Sequence, residues 1–188
     1  MSPADGPLLL VVDDEPDIRE LVRVNLEAEG YRVVTANDGD QALSVARDNP
    51  PDAVFLDVLM PGRDGWSVLR ELKSGDPNLE AVPVIMVTAL SQTEDRLRGA
   101  IEGAVRYLTK PFHPRELLTV LDELLAPDAP PESELRRRAR QDALETLARI
   151  ESGNEHAPSG GVPRVRLTRL EHGPVREMLP ARVSETRD

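Results

Sequence analysis

Five short apolar runs divide the first two thirds of the chain, and each is followed by a segment whose apolar residues recur at helical spacing. Leu8-Leu9-Leu10-Val11-Val12 is continuous rather than alternating, as expected for a strand covered on both faces. Tyr31 to Thr35, Ala53 to Leu56 (ending on Asp57), Val82 to Thr88 and Val105 to Thr109 read as four more strands. Pro83 has no N–H for a ladder and fits best where its strand begins. The intervening helices are predicted at Pro16 to Glu29, Gly39 to Asp48, Gly65 to Lys73, Gln92 to Glu102 and Pro114 to Leu125. Pro16 suits a first helical turn, Gly30 a helix end, and Asn37-Asp38-Gly39 a turn. The fourth helix is only lightly apolar, which predicts that much of its surface is exposed. Five successive β–α units predict an α/β fold: a parallel sheet with helices on both faces.

Beyond Leu125 the pattern changes. Ala126-Pro127-Asp128-Ala129-Pro130-Pro131 reads as a stiff, proline-rich linker, so the domain is predicted to span residues 1–125. Residues 132–151 form a charged amphipathic helix, with Leu135, Ala139, Ala143, Leu147 and Ile150 on one stripe. That stripe is too thin to hold an isolated helix. It could pair with its own copy or pack back on the first domain. Gly153 to Pro163 reads as a flexible break. In residues 164–183 the alternation at Val165 and Leu167 and the turn at His172-Gly173-Pro174 leave open either a short hairpin or a flexible tail over 152–188.

Charge narrows the function classes. The formal net charge is -11, and residues 1–125 carry 23 Asp/Glu against 12 Lys/Arg, whereas residues 126–188 carry 11 of each. An acidic domain with a neutral tail lacks the basic footprint of a nucleic-acid-binding module. There is no cysteine, hence no disulfide and no thiolate zinc site. The run Leu8–Val12 is too short for a signal sequence and nothing approaches a membrane span, so the expected location is the cytoplasm. Lysine occurs only at Lys73 and Lys110 among many arginines, which singles out Lys110.

Several polar residues fall at strand ends: Asp13 and Asp14 after the first, Asp57 after the third, Thr88 ending the fourth and Lys110 after the fifth. In an open parallel sheet, ligands bind beyond the carboxyl ends of the strands. Taken alone, Asp57 could equally be a turn or a helix cap. Three carboxylates in one cleft repel one another and call for a cation, and all-oxygen ligation suits Mg²⁺. A carboxylate beside such a metal can act as a nucleophile toward phosphorus. Lys110 and the Thr88 hydroxyl suit phosphoryl oxygens. His113, His156 and His172 are poorly placed for a triad base. Trp66, Met60, Met86 and Phe112 read as packing residues, and Gly62 and Gly65 as backbone devices.

Together, Asp13-Asp14, Asp57 with Met60-Pro61-Gly62, Thr88-Ala89, Gly103-Ala104 and Tyr107-Leu108-Thr109-Lys110-Pro111-Phe112 resemble the receiver domain of two-component response regulators, over about residues 7–125. The resemblance implies a (βα)5 doubly wound, flavodoxin-like (CheY-like) sheet of strand order 2-1-3-4-5, here with a C-terminal helical extension. It implies that Asp57 accepts a phosphoryl group from a histidine kinase phosphohistidine. Asp14, Asp57 and the backbone carbonyl of Leu59 would hold Mg²⁺, with Asp13 acting mainly through water. Lys110 would pair with Asp57 and then with the phosphoryl group, and the Lys110–Pro111 bond would be cis. Thr88 and Tyr107 would form a switch pair: Thr88 is drawn to the phosphoryl oxygen and Tyr107 turns inward, changing the surface of the fourth helix, fifth strand and fifth helix.

Leu59 and Leu90, each two residues beyond a site residue, are apolar and cannot orient an attacking water, which implies slow autodephosphorylation. The start of the last domain helix, Pro114-Arg115-Glu116-Leu117-Leu118, is similar to a subfamily that dimerises through that switch surface and continues into a winged-helix DNA-binding domain. That subfamily carries two acidic residues where this chain has Val105-Arg106, and residues 126–188 do not read as a compact winged helix or a catalytic domain. The leading expectation is a signalling receiver acting through protein partners. A histidine kinase or histidine phosphotransfer protein would act upstream, a protein target downstream, and direct nucleic-acid binding is disfavoured. A homodimer could form through the switch surface or through residues 132–151. The alternatives are a DNA-binding transcriptional regulator with a diverged or partner-supplied output, and a phosphate sink or relay intermediate.

Overall fold

A computed structural model of the chain describes residues 6–90 and 92–151. Its strands are β1 (Leu8–Val12), β2 (Arg32–Ala36), β3 (Ala53–Leu56), β4 (Val84–Thr88) and β5 (Arg106–Thr109). They form one sheet in the order β2-β1-β3-β4-β5 with every pair parallel. The helices are α1 (Pro16–Ala28), α2 (Gly39–Asp48), α3 (Gly65–Leu72), α4 (Pro77–Glu80), α5 (Thr93–Glu102), α6 (Pro114–Leu125) and α7 (Glu132–Glu151). This is the doubly wound, flavodoxin-like architecture, with α7 as a C-terminal extension.

Because side chains alternate along a strand, the continuous apolar runs feed two cores. Leu10, Val12, Val54, Leu56, Val84 and Met86 pack with α2 and α3, around Leu43, Val68, Leu69 and Leu72. Leu9, Val11, Phe55, Ile85 and Val87 pack on the other side, with Val22 and Leu26 of α1 and Leu117 and Leu121 of α6. Strand order reverses between β1 and β3, where Val12 lies opposite Leu56. The next residues, Asp13 and Asp57, therefore leave the sheet side by side at the crevice this topology creates. The Asp57 N–H still bonds the Val12 carbonyl at 2.9 Å, and the Asp13 N–H the Ala36 carbonyl at 3.2 Å.

Element boundaries depart from the sequence reading by one or two residues, as helix and strand ends commonly do. One element was not anticipated. The short α4 is capped by Asp76 and buries only Leu79, and four residues carry no usable period.

As its few apolar residues predict, α5 is exposed over much of its surface, at Thr93, Glu94, Arg96, Arg98 and Ile101, and buries only Leu97 and Gly99. What the sequence did not indicate is that α7 packs against it. The stripe on α7 faces inward at Leu135 and Ala143, both buried, while Ala139 and Leu147 are half-buried and Ile150 is exposed. Leu135 joins the core that holds Leu108, Leu121 and Leu124. Burying one leucine contributes about 1.5–3 kcal/mol, more than the few tenths from surface pairs such as Glu134–Arg138. Docking therefore holds α7 more strongly than its own side-chain pairs do. Among the described residues no helix is long and apolar enough to cross a membrane. The flexible break and hairpin considered for 152–188 lie outside the described residues.

Candidate functional site

The crevice gathers Asp13 and Asp14 after β1, Asp57 after β3 and Lys110 after β5. The Lys110 ammonium lies 2.5 Å from Asp57 Oδ2 and 2.7 Å from Asp13 Oδ2, with Glu15 Oε1 at 3.4 Å. Asp13 and Asp57 are buried at 4% and 3% exposure, so these pairs are poorly screened by solvent. Each carboxylate is also held from behind. Asp13 Oδ1 accepts the Glu15 N–H at 2.9 Å and Asp57 Oδ1 accepts the Leu59 N–H at 3.1 Å. The Lys110 N–H bonds the Thr88 carbonyl at 2.8 Å, continuing the β4–β5 register, and the Lys110–Pro111 bond is cis.

The electrostatics follow from burial and charge count. Burial raises the pKa of the Asp13 carboxyl, and its hydrogen bonds to Lys110 and to the Glu15 N–H only partly offset this. For Lys110, burial acts to lower the pKa but is outweighed by the bonds to Asp13 and Asp57, so the ammonium is held above the usual lysine range. One oxygen each from Asp13, Asp14 and Asp57 lie within 4.8 Å of one another. Three clustered carboxylates against one ammonium leave an excess of negative charge, and this hard oxygen donor set fits a small divalent cation.

The backbone beneath Asp57 depends on one close approach. The Gly65 N–H bonds the Val58 carbonyl at 3.0 Å, folding the start of α3 back on the end of β3. A Cβ at Gly65 would fall 2.1 Å from the Asp57 carbonyl oxygen and 2.8 Å from Val58 Cα. Gly65 is thus a backbone device that sets where the Asp57 main chain lies.

Thr88 is fully buried, and its Oγ1 accepts the Leu90 N–H at 3.4 Å. The Tyr107 hydroxyl donates to the Leu90 carbonyl at 3.1 Å. Burial raises the Tyr107 pKa, with Asp95 adding to the effect, so the hydroxyl stays a neutral donor. The two residues read as a switch pair therefore meet on the backbone of a third, Leu90, which the sequence reading valued only for its apolar side chain. Leu59 likewise contributes backbone: the residue is 53% exposed while its N–H reaches Asp57. Glu15 and Gly65 also escaped the sequence reading as site components. Glu15 could have been suspected from its place after the aspartate pair. Gly65 reads as a backbone device, but its tie to Asp57 carries no local signal, because it is set by which backbone crosses it.

Comparison with known proteins agrees with this geometry. The model of the response regulator receiver domain matches residues 9–122. The chain is 43% identical over 127 residues to the probable transcriptional regulatory protein TcrX of Mycobacterium tuberculosis, covering 66% of this chain and 53% of that protein. It is 35% identical to the probable transcriptional regulator ycf27 of Cyanophora paradoxa over 177 residues, covering 94% of this chain and 72% of that protein. The chain spans about half the length of most of the curated relatives it matches. Among solved structures it resembles the receiver domain of sensor histidine kinase PA1611 from Pseudomonas aeruginosa PAO1, described with a magnesium ion coordinated in the active-site cleft. The TM-score is 0.59 at 34% identity, covering 64% of this chain and 98% of that one.

Proposed function

Because the chain belongs to the response regulator receiver domain family, we propose that it works as the phosphoacceptor of a two-component signalling system, with Asp57 as the acceptor. The observation that carries this reading is the Asp57 carboxylate, buried at the end of β3, 2.5 Å from the Lys110 ammonium and clustered with Asp13 and Asp14. Its Oδ2 is the nucleophile. It attacks the phosphorus of a phosphohistidine on a histidine kinase or histidine phosphotransfer protein, the P–N bond breaks, and the electron pair leaves with the imidazole. Lys110 moves with the charge, from the carboxylate to the phosphoryl oxygens. Mg²⁺ would be held by Asp14, Asp57 and the Leu59 carbonyl, with Asp13 acting through water, and would neutralise charge on the phosphoryl oxygens.

The output follows from the Leu90 junction. If the Thr88 hydroxyl turns to a phosphoryl oxygen, it releases the Leu90 N–H, and the same residue's carbonyl is the acceptor for Tyr107. The switch is a two-state rearrangement of that loop, biased by new charge-assisted bonds, and it is read out on α5, β5 and α6. Residues 126–188 form a non-catalytic extension, and the protein works in the cytoplasm through protein contacts.

Asp57→Asn should abolish Mg²⁺-dependent labelling of the full chain by an acyl-phosphate donor or a phosphorylated kinase, and labelling at the wild-type level would overturn the assignment. The phosphoryl state should also be long-lived, because neither Leu59 nor Leu90 can orient a water. Leu59→Asn should then speed autodephosphorylation, by about tenfold if a positioned water gains what a well-placed hydrogen bond contributes. Equal decay rates would remove the argument.

A second reading, transcriptional regulation, is favoured by the relatives' names and by the Cyanophora paradoxa match, which runs well past the receiver. Saturable binding of the full chain to a specific DNA duplex would support it. Transfer back from Asp57 to a histidine phosphotransfer protein would instead indicate a relay or sink.

A further inference from the structure

The second lysine has a built site of its own. Lys73, at the end of α3, is 5% exposed, and its ammonium makes three contacts: the Glu80 carbonyl at 2.8 Å, the Val82 carbonyl at 2.5 Å and Glu132 Oε1 at 2.6 Å. Those contacts use its three donors. Two acceptors belong to the backbone around α4 and are fixed by the receiver. The third comes from the first turn of α7, whose Glu132 side chain is 7% exposed. A buried ammonium facing only neutral carbonyls is costly, so this seat selects a carboxylate. It lies at the foot of α5. The helix ends at Gly103, with φ +111°, where a Cβ would meet the Lys73 stem at 3.2 Å and the Arg136 stem at 3.4 Å. From there α7 runs along α5, placing Leu135 and Ala143 inward.

We propose that the outer face of α5, with Lys73 at its foot, is a helix-docking surface that α7 occupies in cis, and that the partner it fits is an amphipathic helix with a carboxylate in its first turn. The occupant is displaceable because its hold is narrow. Of the five stripe positions only Leu135 and Ala143 are buried, and Ile150, with neighbouring Leu144, remains exposed. What keeps α7 in place against a competitor is its short tether, which gives it a high effective concentration. The same helix is in reach of the switch. A Cβ at Gly99 of α5 would lie 3.4 Å from the Tyr107 ring and 3.5 Å from Trp66. A contact between two copies that uses the α7-covered part of α5 competes with α7 for it. The inference stands on the α5–α7 contacts and does not depend on phosphotransfer.

The test uses the full chain and a fluorescent peptide of residues 130–151. Glu132→Lys places two cations together and releases the chain's own α7, leaving the Lys73 seat free. The wild-type peptide should bind this variant at least tenfold more tightly than it binds the wild-type chain. Lys73→Glu should reject the wild-type peptide and accept one carrying Glu132→Lys. Amide exchange in α5 should accelerate in Glu132→Lys while β1 and β3 keep their protection, which also shows that the variant is folded. Equal peptide binding to wild type and Glu132→Lys, no binding to that variant, or unchanged exchange in α5 would each overturn the proposal.

Discussion

Gly65→Ala is expected to destabilise the protein by about 1.5–2 kcal/mol and to remove most of its phosphoacceptor activity. The added methyl would lie 2.1 Å from the Asp57 carbonyl oxygen and 2.8 Å from Val58 Cα. Both are backbone atoms, so no rotamer change relieves the overlap, and α3 must separate from β3. Overpacking typically costs about 1–3 kcal/mol, and a clash with main chain belongs at the upper end. Two effects oppose it. Alanine is favoured over glycine in helices by about 1 kcal/mol, and it narrows the unfolded ensemble by a further few tenths. The clash is the larger quantity, so the net sign is destabilising. The acceptor suffers directly, because the peptide that must move carries Asp57, and a displacement of about 1 Å at a reacting group can cost roughly 10²-fold in rate. A thermal melt and a Mg²⁺-dependent labelling rate on the same sample check both effects. Wild-type melting would show that the loop absorbs the methyl without strain.

Lys110→Met should cost about 3–4 kcal/mol at neutral pH, and the cost should shrink in acid. Removing one partner of a buried pair typically costs about 3–5 kcal/mol, and the lysine's 11% exposure argues for the lower part of that range. The sign of the pH dependence follows from what is left. Without the ammonium, Asp13 loses the hydrogen bond and charge of Lys110 that lower its pKa, so its folded value, already raised by burial, moves further above the unfolded value of about 4. A raised folded pKa gives a stability contribution that is full below the unfolded pKa and is lost as pH rises through the folded one. The gap between variant and wild type should therefore be widest near neutrality and close toward about pH 4. Saturating Mg²⁺ should recover part of the loss, about 2.7 kcal/mol at a hundredfold excess over its dissociation constant. Phosphoryl transfer should stay defective, since the cation that follows the migrating charge is gone. Denaturant melts at several pH values, with and without Mg²⁺, test the argument, and a pH-independent deficit would contradict it.

These two residues differ in how far the sequence announces them. Lys110 stands at the end of an apolar strand, followed by proline, in a chain with only one other lysine. Strand period and topology together deliver it to the crevice. Asp13, Asp14 and Asp57 are legible for the same reason: each leaves a strand whose parallel pairing is implied by five β–α units. Gly65 can be recognised as a backbone device, but the atom it must avoid cannot, because the Asp57 carbonyl reaches it only once β3 and α3 are packed. Leu90 reads as an apolar neighbour of the switch, and its importance lies in an N–H and a carbonyl that no side-chain pattern encodes.

The helix beyond the linker marks the division most clearly. Its apolar stripe was evident from spacing alone, and so was the fact that the stripe is too thin to hold a helix by itself. Period reports which face of a helix is apolar and says nothing about the complementary surface. The structure supplies that surface in α5, a helix judged mostly exposed because its own apolar residues are few. The anchor is Lys73 with Glu132, partners separated by 59 positions and joined at a seat whose other acceptors are the carbonyls of Glu80 and Val82. Local sequence determined the strands, the helices and the acceptor chemistry at the strand ends, because these follow from short-range periodicity and a regular topology. Tertiary structure alone decided what α7 covers and why a second lysine is buried, because both depend on side chains and main-chain carbonyls that only folding brings together.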